Sequence, residues 1–182
     1  MTFSVSGYTR RENDNYQTVD TRCIEALLSA VQLTAPILDP CCSDDDESAL
    51  VTQLVDRGYA AFAGNMSEIR NGYSTIITNP PYKRGLVDRL VRAMVDAVRD
   101  GNVDTLAILV RASWDQAATR RDLFDSELFA GAVRLTFRPW WTSERSATPI
   151  HNYQWLLWTR EADPEMDGLP FLTHVYASQL SR

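Results

Sequence analysis

The sequence predicts an α/β fold in which helices cover both faces of a mostly parallel sheet. Short apolar runs alternate with amphipathic helical segments over residues 19–124. The run 106–110 is apolar throughout, which is typical of a strand buried on both faces. Two later segments, 133–137 and 153–158, have the character of closing strands. This order predicts a three-layer sandwich with right-handed crossovers and an antiparallel strand near its end.

Each element of the first half has a local signal. Thr18 or Asp20 can cap a first helix whose apolar residues recur at helical spacing up to Val31. Residues 35–40 form a short buried strand, and a second helix follows and ends at Gly58. Residues 59–64 form the second strand. The acidic run 44–47 stands where carboxylates oppose the dipole of the second helix, which is a structural role.

The second half continues the alternation. Residues 75–78 form a strand, and Gly85 and Gly101 bound a helix with apolar residues at helical spacing. The strand 105–110 follows, and a short helix is expected near residues 120–124. The last segment, 161–182, is expected to be an acidic tail that can dock on the body of the protein, and residues 1–15 a loose polar arm.

Length and composition are those of one globular domain over residues 1–182. Apolar residues make up 45% of the chain, and no run is long enough to span a membrane. The N-terminus lacks the apolar core of a signal peptide, so a cytoplasmic location is expected. The three cysteines (Cys23, Cys41 and Cys42) and two histidines lack the spacing of a metal site, so no metal is expected.

Charge is unevenly distributed along the chain. Residues 1–78 carry a net charge of −6, whereas residues 79–160 carry +3. Local cationic surface is what a nucleic-acid binder needs, even when the whole chain is acidic. This asymmetry gives weak support to DNA as a partner.

The most informative segment is the strand 75–78 and the tetrapeptide Asn79-Pro80-Pro81-Tyr82 that follows it. Neither proline has a backbone N–H, so the strand must end there. Asn79 is therefore held at a strand end with its amide exposed, and Tyr82 follows on a rigid turn. Amide and carbonyl oxygens beside an aromatic ring suit a planar group that bears an amino nitrogen, such as adenine.

The tetrapeptide resembles the catalytic motif of S-adenosylmethionine-dependent amino-methyltransferases, which include DNA adenine-N6 methyltransferases and protein-glutamine relatives. The resemblance extends from about Tyr16 to about Thr159. It implies the Rossmann-like fold of class I methyltransferases in a compact form. Only nine residues, 65–73, separate the second strand from the motif strand. The usual third strand is therefore expected to be missing or vestigial.

The resemblance also implies which residues bind the cofactor. A Tyr-x-Thr-Pro-like segment corresponds to Tyr16 and Thr18, with Val19 where proline is common. The acid and proline that precede the glycine-rich turn correspond to Asp39 and Pro40. Ser43 and Asp45 occupy the two glycine positions, and Asn65 stands where an acid usually binds the ribose. The residues assigned to the cofactor are Tyr16, Thr18, Asp39, Cys41, Ser43, Asn65 and Asn79.

The implied reaction is methyl transfer to an exocyclic amine, most simply N6 of adenine in DNA, with S-adenosylhomocysteine as product. The Asn79 side-chain oxygen and the Pro80 carbonyl would accept the two N–H bonds of the amine, while Tyr82 stacks on a flipped base. Pro81 completes the motif. The residues assigned to the substrate are Tyr82, Arg111, Trp114, Trp140, Trp141 and Arg145, since aromatics interleaved with arginines suit bases and phosphates.

Three alternatives remain at the level of sequence. Asp45 and Asn65 favour a methyltransferase-like binding module that has lost cofactor affinity. A protein glutamine amide could replace adenine, because the same tetrapeptide serves both substrates. Trp140 and Trp141 could simply cover the end of the sheet. Because only 22 residues follow Arg160, target recognition would need loops, a partner or a second copy.

Overall fold

One seven-stranded sheet organises the computed structural model, which describes residues 16–42, 48–142, 149–160 and 170–180. The helices are α1 (Arg22–Ala30), α2 (Ala49–Val55), α3 (Leu86–Arg99) and α4 (Arg121–Phe124). The strands are β1 (Ile37–Asp39), β2 (Ala61–Ala63), β3 (Thr75–Thr78), β4 (Thr105–Arg111), β5 (Phe129–Leu135), β6 (Tyr153–Thr159) and β7 (Phe171–Val175). Short 3-10 helices lie at Met66–Arg70, Trp114–Gln116, Ala118–Arg120 and Ala177–Gln179.

The sheet is mixed and mostly parallel, in the order β2-β1-β3-β4-β6-β5-β7. Strands β2, β1, β3 and β4 are parallel neighbours, and β7 runs parallel to β5. Only β6 runs in the opposite direction, and it lies between β4 and β5. The expected antiparallel strand near the end of the chain is therefore confirmed.

Helices pack on both faces of this sheet. Alternate residues of each central strand point to opposite faces, so Ile77 joins the cluster with α1 and α2, while Ile76 joins the cluster with α3 and α4. Trp155 donates its indole N–H to the carbonyl of Cys23 in α1 at 2.8 Å. None of the helices in the described segments is long and apolar enough to cross a lipid bilayer.

No strand lies between β2 and β3. Residues 64–74 are all described, and they contain the 3-10 helix Met66–Arg70, which follows an isolated bridge between Asn65 and Cys41 and precedes two bends. The expectation that this interval lacks a strand is confirmed. As a result β2, which pairs only with β1 among the described strands, forms one edge of the sheet.

The other edge differs from the sequence prediction. Part of the expected acidic tail, Phe171–Val175, is strand β7 and extends the sheet beside β5. The sequence Phe-Leu-Thr-His-Val did not predict this strand, because the strand forms by pairing with a partner 40 residues earlier in the chain. Residues 161–169 of the expected tail and the expected arm, 1–15, lie outside the described residues.

Gly131 is where β5 meets β7, and alanine there is expected to detach β7. The φ of Gly131 is +146°, and a Cβ would lie 2.3 Å from the carbonyl oxygen of Phe171. We expect Gly131→Ala to lower the free energy of unfolding by about 2–3 kcal/mol, through backbone strain and this clash. Urea unfolding measures the cost, and hydrogen exchange of the amides at 171–175 reports the detachment.

Gly58→Ala is the matched control. Its φ is +87°, yet nothing lies within 4 Å of its added Cβ, so it carries backbone strain without a clash. We expect it to cost about 1 kcal/mol. Equal costs for the two variants, with protection of 171–175 unchanged, would contradict the close approach of β5 and β7.

Candidate functional site

Three polar groups meet at the carboxyl edge of the parallel strands. Asp39 ends β1, Asn79 follows β3, and Arg111 ends β4. Because these strands are adjacent and parallel, their carboxyl ends share one edge, where ligands bind in open α/β sheets. The prolines after Asn79 stop the strand there, as the sequence predicted.

The sequence predicted an exposed amide at Asn79, but the residue is almost fully buried and both ends of its amide have partners. Its Nδ2 donates to the carbonyl oxygen of Tyr16 at 2.7 Å. Its Oδ1 lies 2.6 Å from the hydroxyl of Tyr82, which also lies 2.8 Å from the carbonyl oxygen of Leu109. A hydroxyl has one proton, so Tyr82 shares its donation between these two acceptors. Asn79 is therefore held in position by segments 63 residues and three residues away.

The ring of Tyr82 is packed inward. It meets the ring of Tyr153 edge-on at 5.9 Å, and the guanidinium of Arg111 stands over it at 5.6 Å from the centroid. Burial raises the pKa of Tyr82 well above its ordinary value, so the hydroxyl remains a donor at neutral pH. The sequence predicted an open ring for stacking, whereas here Arg111 covers a face of it.

Asp39 is the buried anchor of the turn after β1. Its carboxylate accepts hydrogen bonds from Thr78 Oγ1 at 2.7 Å, Ser48 Oγ at 2.8 Å and the Cys41 backbone N–H at 3.3 Å. Burial raises the pKa of Asp39, and these hydrogen bonds oppose the rise only in part. Asp39 thus ties β1, β3 and the start of α2 together. Ser43 and Asp45 lie outside the described residues.

The carboxyl of Asp39 is expected to make stability depend on pH. Because its pKa is higher in the folded protein than the ordinary 3.8, its contribution to the free energy of unfolding is complete below pH 3.8 and is lost as pH rises through the folded-state pKa. The variant Asp39→Asn lacks this titration. Measured by urea unfolding, the stability of wild type relative to Asp39→Asn should therefore fall from about pH 3.5 to pH 7.

Asp122 is a control, because its pKa is shifted in the direction opposite to that of Asp39. It is exposed, and its ion pair with Arg92 lowers its pKa. Its contribution to the free energy of unfolding is present above its ordinary pKa and is lost as pH falls through the lowered pKa. The stability of wild type relative to Asp122→Asn should therefore increase as pH rises. A difference between wild type and Asp39→Asn that stays constant or rises with pH would refute the prediction for Asp39.

A small cavity brings together most of the residues assigned to the cofactor. Its volume is about 10 Å³, which is room for about one water molecule. It is lined by Tyr16, Gln17, Thr18, Asp39, Cys41, Cys42, Leu50 and Asn79. The hydroxyl of Thr18 is buried and has no hydrogen-bond partner. Burial raises the pKa of Cys41 and of Cys42 to about 12, so both thiols are protonated at neutral pH.

The segment 16–18 forms one wall of this cavity, and three hydrogen bonds hold it. The Tyr16 carbonyl accepts from Asn79, as described above, and the Thr18 carbonyl accepts from Gln53 Nε2 at 2.7 Å. Gln17 Oε1 accepts from the backbone N–H of Ala49 at 3.0 Å. Segment 16–18 is therefore tied both to α2 and to the motif.

Asn65 lies outside the set that lines the small cavity. Its Oδ1 accepts from Ser67 N–H at 3.0 Å, and its Nδ2 donates to Glu68 Oε1 at 2.8 Å, so it caps the 3-10 helix. The sequence analysis missed Glu68, whose carboxylate this cap brings to the carboxyl end of β2. The Asn-x-x-Glu spacing of a capping box was the signal that could have located it.

A second cavity, the basic cavity, opens on the other side of Tyr82. Its volume is about 230 Å³, and it is lined by Tyr82, Arg84, Gly85, Val87, Asp88, Arg111, Ser113, Trp114 and Arg120. Arg111 and Trp114 were assigned to the substrate from the sequence, and the structure brings both to this cavity. Arg84 was missed, although it stands only two residues after the motif.

Trp140 and Trp141, which were also assigned to the substrate, do not line the basic cavity. Trp141 is 7% exposed and packs edge-on against Tyr153 at 4.8 Å, so it is not available for stacking on a base. It covers the end of the sheet, which the sequence had left as an alternative. The backbone N–H of Trp140 donates to Asp20 Oδ2 at 3.1 Å, and Trp140 does not line the basic cavity. Arg145 lies outside the described residues.

The site thus combines a small polar cavity, a buried Asn-Pro-Pro-Tyr motif and a basic cavity that meet at Asn79 and Tyr82. No protein-family model matches the chain, and a search of curated proteins found no similar sequence. In the described segments, no group of three or more His, Cys, Asp or Glu side chains is placed to hold a metal ion. The function must therefore be inferred from the site itself.

Proposed function

We propose that this protein is an S-adenosylmethionine-dependent methyltransferase that acts on an exocyclic amine, most simply N6 of adenine in DNA. The main support for this proposal is the position of Asn79. It lines the small cavity and contacts Tyr82, which lines the basic cavity. A residue that joins a cofactor site to a substrate site must stand at such a point. The resemblance of Asn79-Pro80-Pro81-Tyr82 to the amino-methyltransferase motif indicates that the reaction is methyl transfer to an amine.

The topology supports the proposal. In the Rossmann order 3-2-1-4-5-6, omission of strand 3 leaves an order that begins 2-1-4-5. The neighbours β2-β1-β3-β4 have this arrangement, because no strand intervenes between β2 and β3. The chain would therefore be a compact class I methyltransferase with an exposed edge where the third strand usually lies.

The residues of the small cavity suit the polar parts of the cofactor. The unpartnered Thr18 hydroxyl and the Asp39 carboxylate offer hydrogen-bonding groups, and Glu68 offers a carboxylate for ribose hydroxyls at the end of β2. An adenosyl group is much larger than 10 Å³, so its binding requires the cavity to widen, and movement of segment 16–18 away from Asn79 and α2 would widen it. When bound, S-adenosylmethionine supplies an electrophilic methyl group.

Asn79 would orient and activate the amine. An amine conjugated with a ring is a poor nucleophile because its lone pair is delocalised. The carbonyl oxygen of an amide has two lone pairs, so Asn79 Oδ1 can accept from Tyr82 and from a substrate N–H together. With the Pro80 carbonyl as second acceptor, this would draw the nitrogen lone pair out of conjugation.

Calorimetric titration of S-adenosylmethionine and S-adenosylhomocysteine into the purified protein tests the proposal. We expect micromolar binding that Glu68→Gln weakens about tenfold, through loss of a charge-assisted hydrogen bond. Glu127→Gln, an exposed glutamate outside both cavities, is the matched control and should bind like wild type. Transfer of a labelled methyl group to unmethylated DNA then tests the reaction.

A second candidate function is a methyltransferase-like binding module that no longer uses the cofactor. The favouring observation is the small volume of this cavity, whose wall at segment 16–18 is held by three hydrogen bonds. Folded protein that binds neither cofactor nor product at millimolar concentration would favour this module and reject methyl transfer.

A further inference from the structure

Two arginines of the basic cavity have no ion-pair partner in the described segments. Arg84 and Arg111 are exposed residues that line it, and neither forms an ion pair with any carboxylate of the described segments. Arginine is well suited to phosphate, since its planar guanidinium presents paired donors that match the oxygens.

The one carboxylate among the lining residues is already bound. Asp88 accepts from Arg120 through both oxygens, with Nε to Oδ1 at 2.6 Å and Nη2 to Oδ2 at 3.2 Å. Arg120 also stacks on Trp114 at 4.3 Å from the ring centroid and donates to the Trp114 carbonyl. The opposite charges of Asp88 and Arg120 therefore cancel. The net charge of the lining residues is that of Arg84 and Arg111.

Trp114, which lines the same cavity, has an unsatisfied donor. It is 7% exposed, and its buried indole N–H has no hydrogen-bond partner. A buried donor without a partner is unfavourable, and an acceptor that reaches it would recover part of that cost. Two arginines without an ion pair and an indole N–H without a partner favour the same kind of ligand, an anion with several acceptor oxygens.

The size and place of the cavity narrow the choice of anion. At about 230 Å³ it is smaller than the roughly 300–1,000 Å³ typical of sites that enclose a whole small molecule. It suits a phosphate and part of its sugar, with the remainder of the strand outside. Tyr82 lines the cavity and contacts Asn79, so the phosphate would belong to a nucleotide at or next to the one that reacts.

We propose that Arg84, Arg111 and Trp114 form a subsite for a backbone phosphate of single-stranded nucleic acid. This subsite rests on the proposed function, since it would bind the substrate of the proposed methyl transfer. It implies that the substrate is a nucleic acid and not a protein glutamine. Arg111 would exchange its contact with the Tyr82 ring for the phosphate, which uncovers the ring for a base.

Binding of a fluorescent single-stranded DNA 12-mer, measured by anisotropy without any cofactor, tests this subsite. Titrations at several salt concentrations would compare wild type with Arg84→Gln, Arg111→Gln and the double variant. Each single change should weaken binding about tenfold and reduce the slope of log affinity against log salt by about 0.7. Arg70→Gln, an exposed arginine on the groove beside Asp96 and Asp100, is the matched control and should match wild type. Melting temperatures confirm that all variants are folded.

Several outcomes would overturn the subsite. In one, the Arg84 and Arg111 variants bind the 12-mer with the affinity and salt slope of the control. In another, wild type binds a glutamine-containing peptide but not the 12-mer. Complete displacement of the 12-mer by inorganic phosphate at millimolar concentration would indicate a site for free phosphate. Because no cofactor is present, specific 12-mer binding without cofactor binding would uphold this subsite and reject methyl transfer.

Discussion

Asn79→Ala is expected to reduce methyl transfer by about 10²–10³-fold, the usual effect of removing one preorganised electrostatic partner of the reacting group. The variant loses the Oδ1 atom that would accept the amine N–H. It also releases the Tyr16 carbonyl from Nδ2, which lies 2.7 Å away. Turnover of labelled methyl groups onto DNA at saturating cofactor measures the loss.

Tyr82→Phe separates chemistry from packing in this test. It removes the hydroxyl that contacts Asn79 Oδ1 and the Leu109 carbonyl, but it keeps the ring and leaves Oδ1 able to accept the amine. We expect a reduction of less than about tenfold, because loss of a positioning hydrogen bond costs about 1 kcal/mol. Equal losses in the two variants would show that Asn79 acts through structure alone.

Trp155→Ala is expected to be strongly destabilising, lowering the free energy of unfolding by about 3–5 kcal/mol. Trp155 is fully buried at the centre of β6, opposite Leu109 of β4 and Val133 of β5. Its removal leaves a large void and frees the Cys23 carbonyl from the indole N–H. Urea unfolding followed by circular dichroism measures the cost.

Trp155→Phe divides this cost into its parts. The phenylalanine keeps most of the buried apolar surface and loses the hydrogen bond to α1, so we expect a cost of about 1–2 kcal/mol. Trp158 bonds the Leu123 carbonyl at 2.9 Å on the opposite face of the sheet and provides a parallel pair of variants. A cost below about 2 kcal/mol for Trp155→Ala would show that the core repacks around the void.

Cofactor entry connects these experiments with the proposed function. Segment 16–18 is held to Asn79 and α2, so any variant that loosens it changes access to the small cavity. Asn79→Ala removes one of the three bonds and should ease opening, although it also removes the proposed acceptor of the amine N–H. Binding and turnover must therefore be measured separately, since they can change in opposite directions.

The sequence by itself determined the order of the elements and the place of the motif. Apolar periodicity and the glycines that bound α3 are local signals, and they located β1 to β6 and the longer helices. The prolines after Asn79 required a strand end, because they cannot donate to a ladder. The interval 65–73 was too short for a further strand, and it contains none.

Only the tertiary structure decided how distant residues meet. The bond from Asn79 to Tyr16, the burial of Trp141 and the pairing of β7 with β5 each join segments far apart in the chain. The approach of Arg84 and Arg111 depends on the register between β3 and β4. Local propensity does not encode such contacts, because they follow from crossovers and packing that only the complete sheet defines.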